Sequence, residues 1–365
     1  MQSNLFIVLV FVIFGNVVFS ANSDGKDFVF NFVCYDPYFN SAITTTVIVI
    51  PSYNDSICTF EYTQKSKNKV VSIQKTASYG KTNEISFDHN QVLLRTYASN
   101  GEIKDFAVKD FRIFASCTEE YTDLFNIPSI SNAGNKYTFS MTSADYDQKG
   151  WVTILPITQL NSIKVNIVGY ADGALFSNET VEYDTTIGQN QHYIAIVPLY
   201  EYDFNSSITI SASSNFFVTY INPFASTSNN PDAPCGTSCY RDYTTFMMMP
   251  VVEKKCNDII SPSDQRMITN DFTTRLYVSP PSVPYDCNET FTMNIYDKED
   301  NINGYQEIIT SMGSSTIELT DKSEMASSTN AGQMPMYRLG SVLNHPDSLT
   351  AYGHFTHYVP SVQEW

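Results

Sequence analysis

Residues Ser207–Phe224, SITISASSNFFVTYINPF, lead through a loop carrying CGTSCY (Cys235–Tyr240) into RDYTTFMMMPV (Arg241–Val251), and this stretch decides the fold class. β-branched and aromatic residues crowd it, and Pro250 ends the last run. It therefore reads as two or three aromatic-rich strands around a polar, cysteine-bearing loop. The same ending occurs as DLFNIP at Asp123–Pro128 and as HFTHYVP at His354–Pro360. An earlier landmark recurs as well: Ile50-Pro51, Leu155-Pro156 and Ser279-Pro280 each close a β-branched or aromatic run. Recurrence at this length implies three related β modules in tandem, over 21–128, 129–255 and 256–365.

Working outward, the short runs DFVFNFVCY (Asp27–Tyr35), TTTVIVI (Thr44–Ile50), Val70–Gln74, Ile163–Val168, His192–Val197 and Phe291–Tyr296 continue the pattern, punctuated by Gly, Asn and Pro. Ile163–Val168 alternates with one apolar face. Asn100-Gly101 and Asp172-Gly173 are turn dipeptides that tolerate positive φ, and the first is the clearest hairpin signal. No amphipathic helix of three turns is present. The expected architecture is all-β, with three tandem antiparallel β-sandwich-like modules; a single closed β architecture such as a propeller is the alternative.

The chain has 365 residues, 42% of them hydrophobic and 16% charged, enough to bury several cores. Its net charge of −17 and the absence of a Lys/Arg cluster argue against nucleic acid and against attraction to an anionic membrane. Residues Asn4–Phe19 form an apolar run that ends at Val18 and Ser20, small residues placed as before a cleavage site. A signal peptide over 1–20 and an extracellular, secreted product without membrane contact after its removal are the expectation.

Four sequons, at Asn54, Asn178, Asn205 and Asn288, agree with secretion. So do seven cysteines. Cys58 follows Pro51 by the same interval as Cys287 follows Pro280, while Cys34 and Cys256 precede those prolines. This makes Cys34 with Cys58, and Cys256 with Cys287, matching candidate disulfides. Cys235 and Cys239 form a small-loop candidate, with Cys117 either odd or paired with one of them.

The segments ITISASSNFFVTYINPF (Ile208–Phe224), the cysteine loop with DYTTFMMMPV, and GHFTHYVPSVQEW (Gly353–Trp365) resemble the IgG-Fc-binding protein amino-terminal domain family, in its secreted nematode form. The resemblance spans the mature chain by pattern. It implies a secreted protein, and nothing in these residues maps onto Fc contact. Relatives continue beyond the position of Trp365, which leaves the third module open to lacking a strand.

Chemistry-bearing residues are few. His354 and His357, with His345 upstream, lie three apart on a strand, so they face opposite ways and read as structural or surface residues rather than as a metal site. DKEDNING (Asp297–Gly304) puts Thr310 where a calcium loop needs its bidentate Glu, and reads as a polar hairpin. Gly313-Ser314-Ser315 lacks the second glycine of a nucleophile elbow. Glu119-Glu120 and Glu299-Asp300 read as solvated charges. No catalytic residue, metal or cofactor is expected. Tyr240, Arg241 and Tyr243, in and after the loop Thr227–Arg241, are candidate partner contacts, and Tyr200 is another loop tyrosine. The expected function is binding, adhesion or a mucus-like, defence-related matrix role toward an extracellular protein or glycan. A secreted hydrolase such as a glycosidase, with carboxylates from separate loops, is the alternative.

Overall fold

The computed structural model describes residues 25–35, 44–96, 105–121, 127–142, 148–159, 161–188, 191–199, 206–225, 242–257, 265–268, 272–284, 286–297, 304–313, 315–318, 324–332, 334–343 and 351–359. Almost all of it is strand. Among these residues the only helical pieces are one turn at His89–Val92, capped by the Asp88 carboxylate, and a 3-10 turn at Ile130–Asn132.

The quoted stretch becomes a single long strand, Ser206–Ala225, at the centre of one eight-stranded sheet. Its first half pairs with Gly134–Ser140 and Ser162–Ala171, and its second half with Gln148–Pro156 and Asp242–Met247. Between the halves lie Ser213, Ser214 and Asn215, polar residues at the point where the strand changes partners; the Ser213 hydroxyl accepts from Lys164 N at 3.1 Å. The remaining strands complete the layers. Ala174–Asp184 borders Ser162–Ala171 through the turn Asp172-Gly173, whose two positive φ values are those a two-residue hairpin requires. Gln191–Leu199 borders Gln148–Pro156.

The C-terminal region repeats this pairing with the long strand cut in two. Phe272–Val278 lies between Ser315–Glu318 and Met336–Leu343, and Phe291–Asp297 lies between Tyr305–Ile309 and Glu324–Thr329. Its two four-stranded sheets enclose Leu276, Val278, Met293, Ile295 and Met336. In the N-terminal region Ser56–Gln64 lies between Lys69–Ala77 and Ile113–Tyr121, and Thr45–Val49 pairs with Asn83–Phe87. The strands before Pro156 and Pro280 are each flanked on both sides, whereas Thr45–Val49, before Pro51, pairs with Asn83–Phe87 alone among the described residues. Asp105–Lys109, ahead of the expected boundary at 128/129, joins the middle sheet by pairing with Gln191–Leu199.

Burial explains the unbroken apolar runs WVTIL and FFVTYI. Val152, Ile154, Val218 and Tyr220 point into the middle core, whereas Trp151, Leu155, Phe217 and Ile221 point the other way into the N-terminal core. A sheet covered on both faces needs apolar residues at consecutive positions, not alternate ones. Each such side chain contributes about 1.5–3 kcal/mol. Met247 and Met248 divide between the same two cores, and Met249 is half-buried. Tyr337, from the C-terminal region, enters the middle core and stacks 4.8 Å from Phe246.

The expected turn Asn100-Gly101 lies outside the described residues; of the strands on either side, Leu93–Thr96 runs parallel to Phe32–Tyr35 and Asp105–Lys109 pairs with Gln191–Leu199. One expected disulfide fails. Cys58 bonds to Cys117, not to Cys34. The two sit directly opposite on antiparallel strands with Cα atoms 4.1 Å apart, the close spacing of a non-hydrogen-bonded pair. Cys34 lies half-buried on another strand. The second expected pair, Cys256 with Cys287, is present.

Candidate functional sites

Of the candidate partner loop, Tyr240, Arg241, Cys235 and Cys239 lie outside the described residues. Tyr243 begins the edge of the next strand, with its ring partly exposed and its hydroxyl donating to Val33 O at 2.7 Å. Asn54, Asn178 and Asn288 are exposed, and Asn205 lies outside the described residues. Ser56, the hydroxyl residue of the first sequon, is buried and accepts from Glu119 N at 3.1 Å.

His354 and His357 both fall on the strand Ala351–Tyr358, and His345 lies outside the described residues. Asp297 and Gly304 flank a hairpin between Phe291–Asp297 and Tyr305–Ile309, as the polar-turn reading of DKEDNING requires. Cys256, Cys287 and Glu289 bring three potential ligand atoms together. The sulfurs are joined to each other, however, and Glu289 accepts from Lys254 Nζ at 2.6 Å and Asn257 N at 2.8 Å. Those hydrogen bonds hold its carboxyl below the usual range.

A cluster that sequence reasoning missed lies where the N-terminal and middle regions meet. Arg112 is fully buried and grips Asp110 in a fork, Nε to Oδ1 and Nη2 to Oδ2, both at 2.9 Å. Its remaining donors reach the carbonyls of Pro156 (2.7 Å), Thr158 (2.9 Å) and Thr185 (2.6 Å). Nη2 also stands 3.3 Å from His192 Nε2, a contact beyond the five N–H groups already engaged. Burial, then the neighbouring guanidinium, pushes His192 down to about 4. Burial acts against the Asp110 carboxylate, but the Arg112 hydrogen bonds and charge outweigh it and hold Asp110 below its ordinary value. The D-x-R spacing was visible as Asp110-Phe111-Arg112, yet burial of a charged pair has no local signal. Every strong donor here is spent on protein acceptors, so the cluster is a joint between regions and not reaction machinery.

Two concavities among the described residues are wide enough to take a ligand. A groove of about 550 Å³ runs between the small sheet Thr45–Val49/Asn83–Phe87 and the strand Asp242–Met247. Hydroxyls of Thr44, Thr46, Ser86 and Thr245 line it beside Phe32 and the single carboxylate Glu84. A smaller cavity of about 230 Å³ opens between Tyr62–Lys65, Gln91–Leu94 and Val108–Ile113. Among the described residues no helix is long and apolar enough to cross a membrane. No protein-family model matches the chain, and no curated protein matches it.

Proposed function

We propose that the chain is a secreted, non-catalytic binding or matrix protein that engages an extracellular protein or glycan along the groove between its N-terminal and middle regions. The groove itself carries the reading: it is large enough for a ligand segment, and its lining mixes hydroxyls and aromatic rings with one carboxylate. A glycosidase needs two carboxyl groups facing each other across the scissile bond, and this lining offers Glu84 alone. The strand Asp242–Met247, which carries Tyr243, forms one wall, and the candidate partner loop Thr227–Arg241 precedes that strand in the sequence. Two disulfides support an oxidising compartment, and exposed Asn54, Asn178 and Asn288 support glycosylation.

The test is capture from extracellular fluid and on a glycan array with the purified chain, in parallel with Thr46→Arg/Glu84→Arg, which crowds the groove and reverses its charge. The expected result is a ligand held by the parent and lost by the variant at unchanged melting temperature. Ligands retained by the variant would move the surface elsewhere. Turnover of a glycoside or ester by the parent would replace the reading with the hydrolase.

A further inference from the structure

We propose that copies of the chain join through two unlike sheet edges, Lys69–Ala77 of one copy adding antiparallel to Ala174–Asp184 of another. Each strand is outermost in its sheet. Among the described residues Lys69–Ala77 pairs with Ser56–Gln64 alone, and Ala174–Asp184 with Ser162–Ala171 alone. The two strands are nine and eleven residues long and exposed at most positions. An exposed edge of that length offers a row of backbone donors and acceptors to a further strand.

The side-chain pattern selects the occupant. On the first edge Lys69, Val71, Ile73 and Lys75 share one face, the face on which the register places Phe60 and Tyr62. On the second, Glu179, Val181 and Tyr183 share the face of Ile163 and Val165. Val71, Ile73 and Val181 are half-buried, so each still has apolar surface to cover. One antiparallel register sets apolar against apolar twice, with Val71 opposite Tyr183 and Ile73 opposite Val181. The same register brings Lys75 opposite Glu179. Both side chains are exposed, and neither forms an ion pair with a described residue.

Pairing of like edges fails where this one succeeds. Two copies of the first edge, matched Val71 to Ile73 at both positions, set Lys69 against Lys75. Two copies of the second, matched Val181 to Tyr183, set Glu182 against Glu182. Like charges directly opposite destabilise a strand pair and opposite charges stabilise it, so the charges admit the unlike edges and reject the like ones. Asn178 falls opposite Thr76 in the joining register, so a glycan there crowds the joint, and assembly belongs to chains unmodified at that position. None of these residues lines the groove, which keeps the joint separate from the groove reading.

Sedimentation equilibrium of the purified chain, produced without N-glycans, tests this across a concentration series. The expected result is a mass that rises with concentration, and an association that weakens at high salt. Lys75→Glu and Glu179→Lys each set like charges opposite and should each weaken association about tenfold at unchanged melting temperature. An equimolar mixture of the two variants, or one chain carrying both changes, should recover the parent's association, because each then finds an opposite charge across the joint. The proposal is overturned if the parent stays monomeric throughout, if the single variants associate as the parent does, or if neither the mixture nor the double variant exceeds the single ones.

Discussion

Gly134 and Pro250 approach so closely that a β-carbon on Gly134 would overlap the proline ring. Gly25 stands in the same relation to Ser129, the residue after Pro128. At Gly134 the proline ring itself makes the contact, whereas at Gly25 the next residue, Ser129, makes it in place of Pro128. Backbone contacts follow the seat: Val251 N donates to Lys136 O at 3.0 Å, and Phe28 bridges Ser129. Gly134→Ala should therefore destabilise the chain by about 1–3 kcal/mol, because backbone and a proline ring have little room to give. Denaturant midpoints with an unchanged slope are the check.

Arg112 supports a second prediction. Replacing it by Met leaves Asp110 as a buried charge and removes donors from three carbonyls, at a cost of about 3–5 kcal/mol. Removing the charge at the same time, in Asp110→Asn/Arg112→Met, should recover part of that loss. A double variant no better than the single one would show that the carbonyl contacts, and not the charge pair, dominate the joint.

His192 makes the same joint sensitive to acid. The unfolded chain takes up a proton there near 6.5, whereas in the fold the group is pushed down to about 4. Between those values only the unfolded state binds the proton, so stability that is complete above 6.5 is lost as pH falls toward 4, by about 3 kcal/mol in total. The lowered Asp110 adds a further loss in the same direction at still lower pH. Melting at pH 7, 5.5 and 4 should show the decline, and His192→Gln, which removes the titrating group, should flatten its upper part.

Non-reducing peptide maps should join Cys58 to Cys117 and Cys256 to Cys287. The first bond closes a separation of 59 residues and the second one of 31. Removing either, as a Cys→Ser pair, should cost about 2–4 kcal/mol, the longer loop costing slightly more. A map that places Cys34 with Cys58 would contradict the register of Ser56–Gln64 against Ile113–Tyr121.

Strand character was written locally: β-branched and aromatic runs bounded by Pro, Gly and Asn fold as strands wherever they pack, and Asp172-Gly173 makes its hairpin because both residues accept positive φ. The bond between Cys256 and Cys287 and the polar hairpin after Asp297 were legible for the same reason, each joining segments near in sequence. The remaining features depended on which sheets meet. Cys58 finds Cys117 only through the register of two distant strands, and WVTIL carries apolar residues toward both faces because two cores share that sheet. Nothing near Arg112 in the chain foretells that carbonyls at 156, 158 and 185 will surround it. The groove and the cavity belong to this second class, since their walls come from strands far apart in the chain, and a concavity between sheets exists only after the sheets have packed.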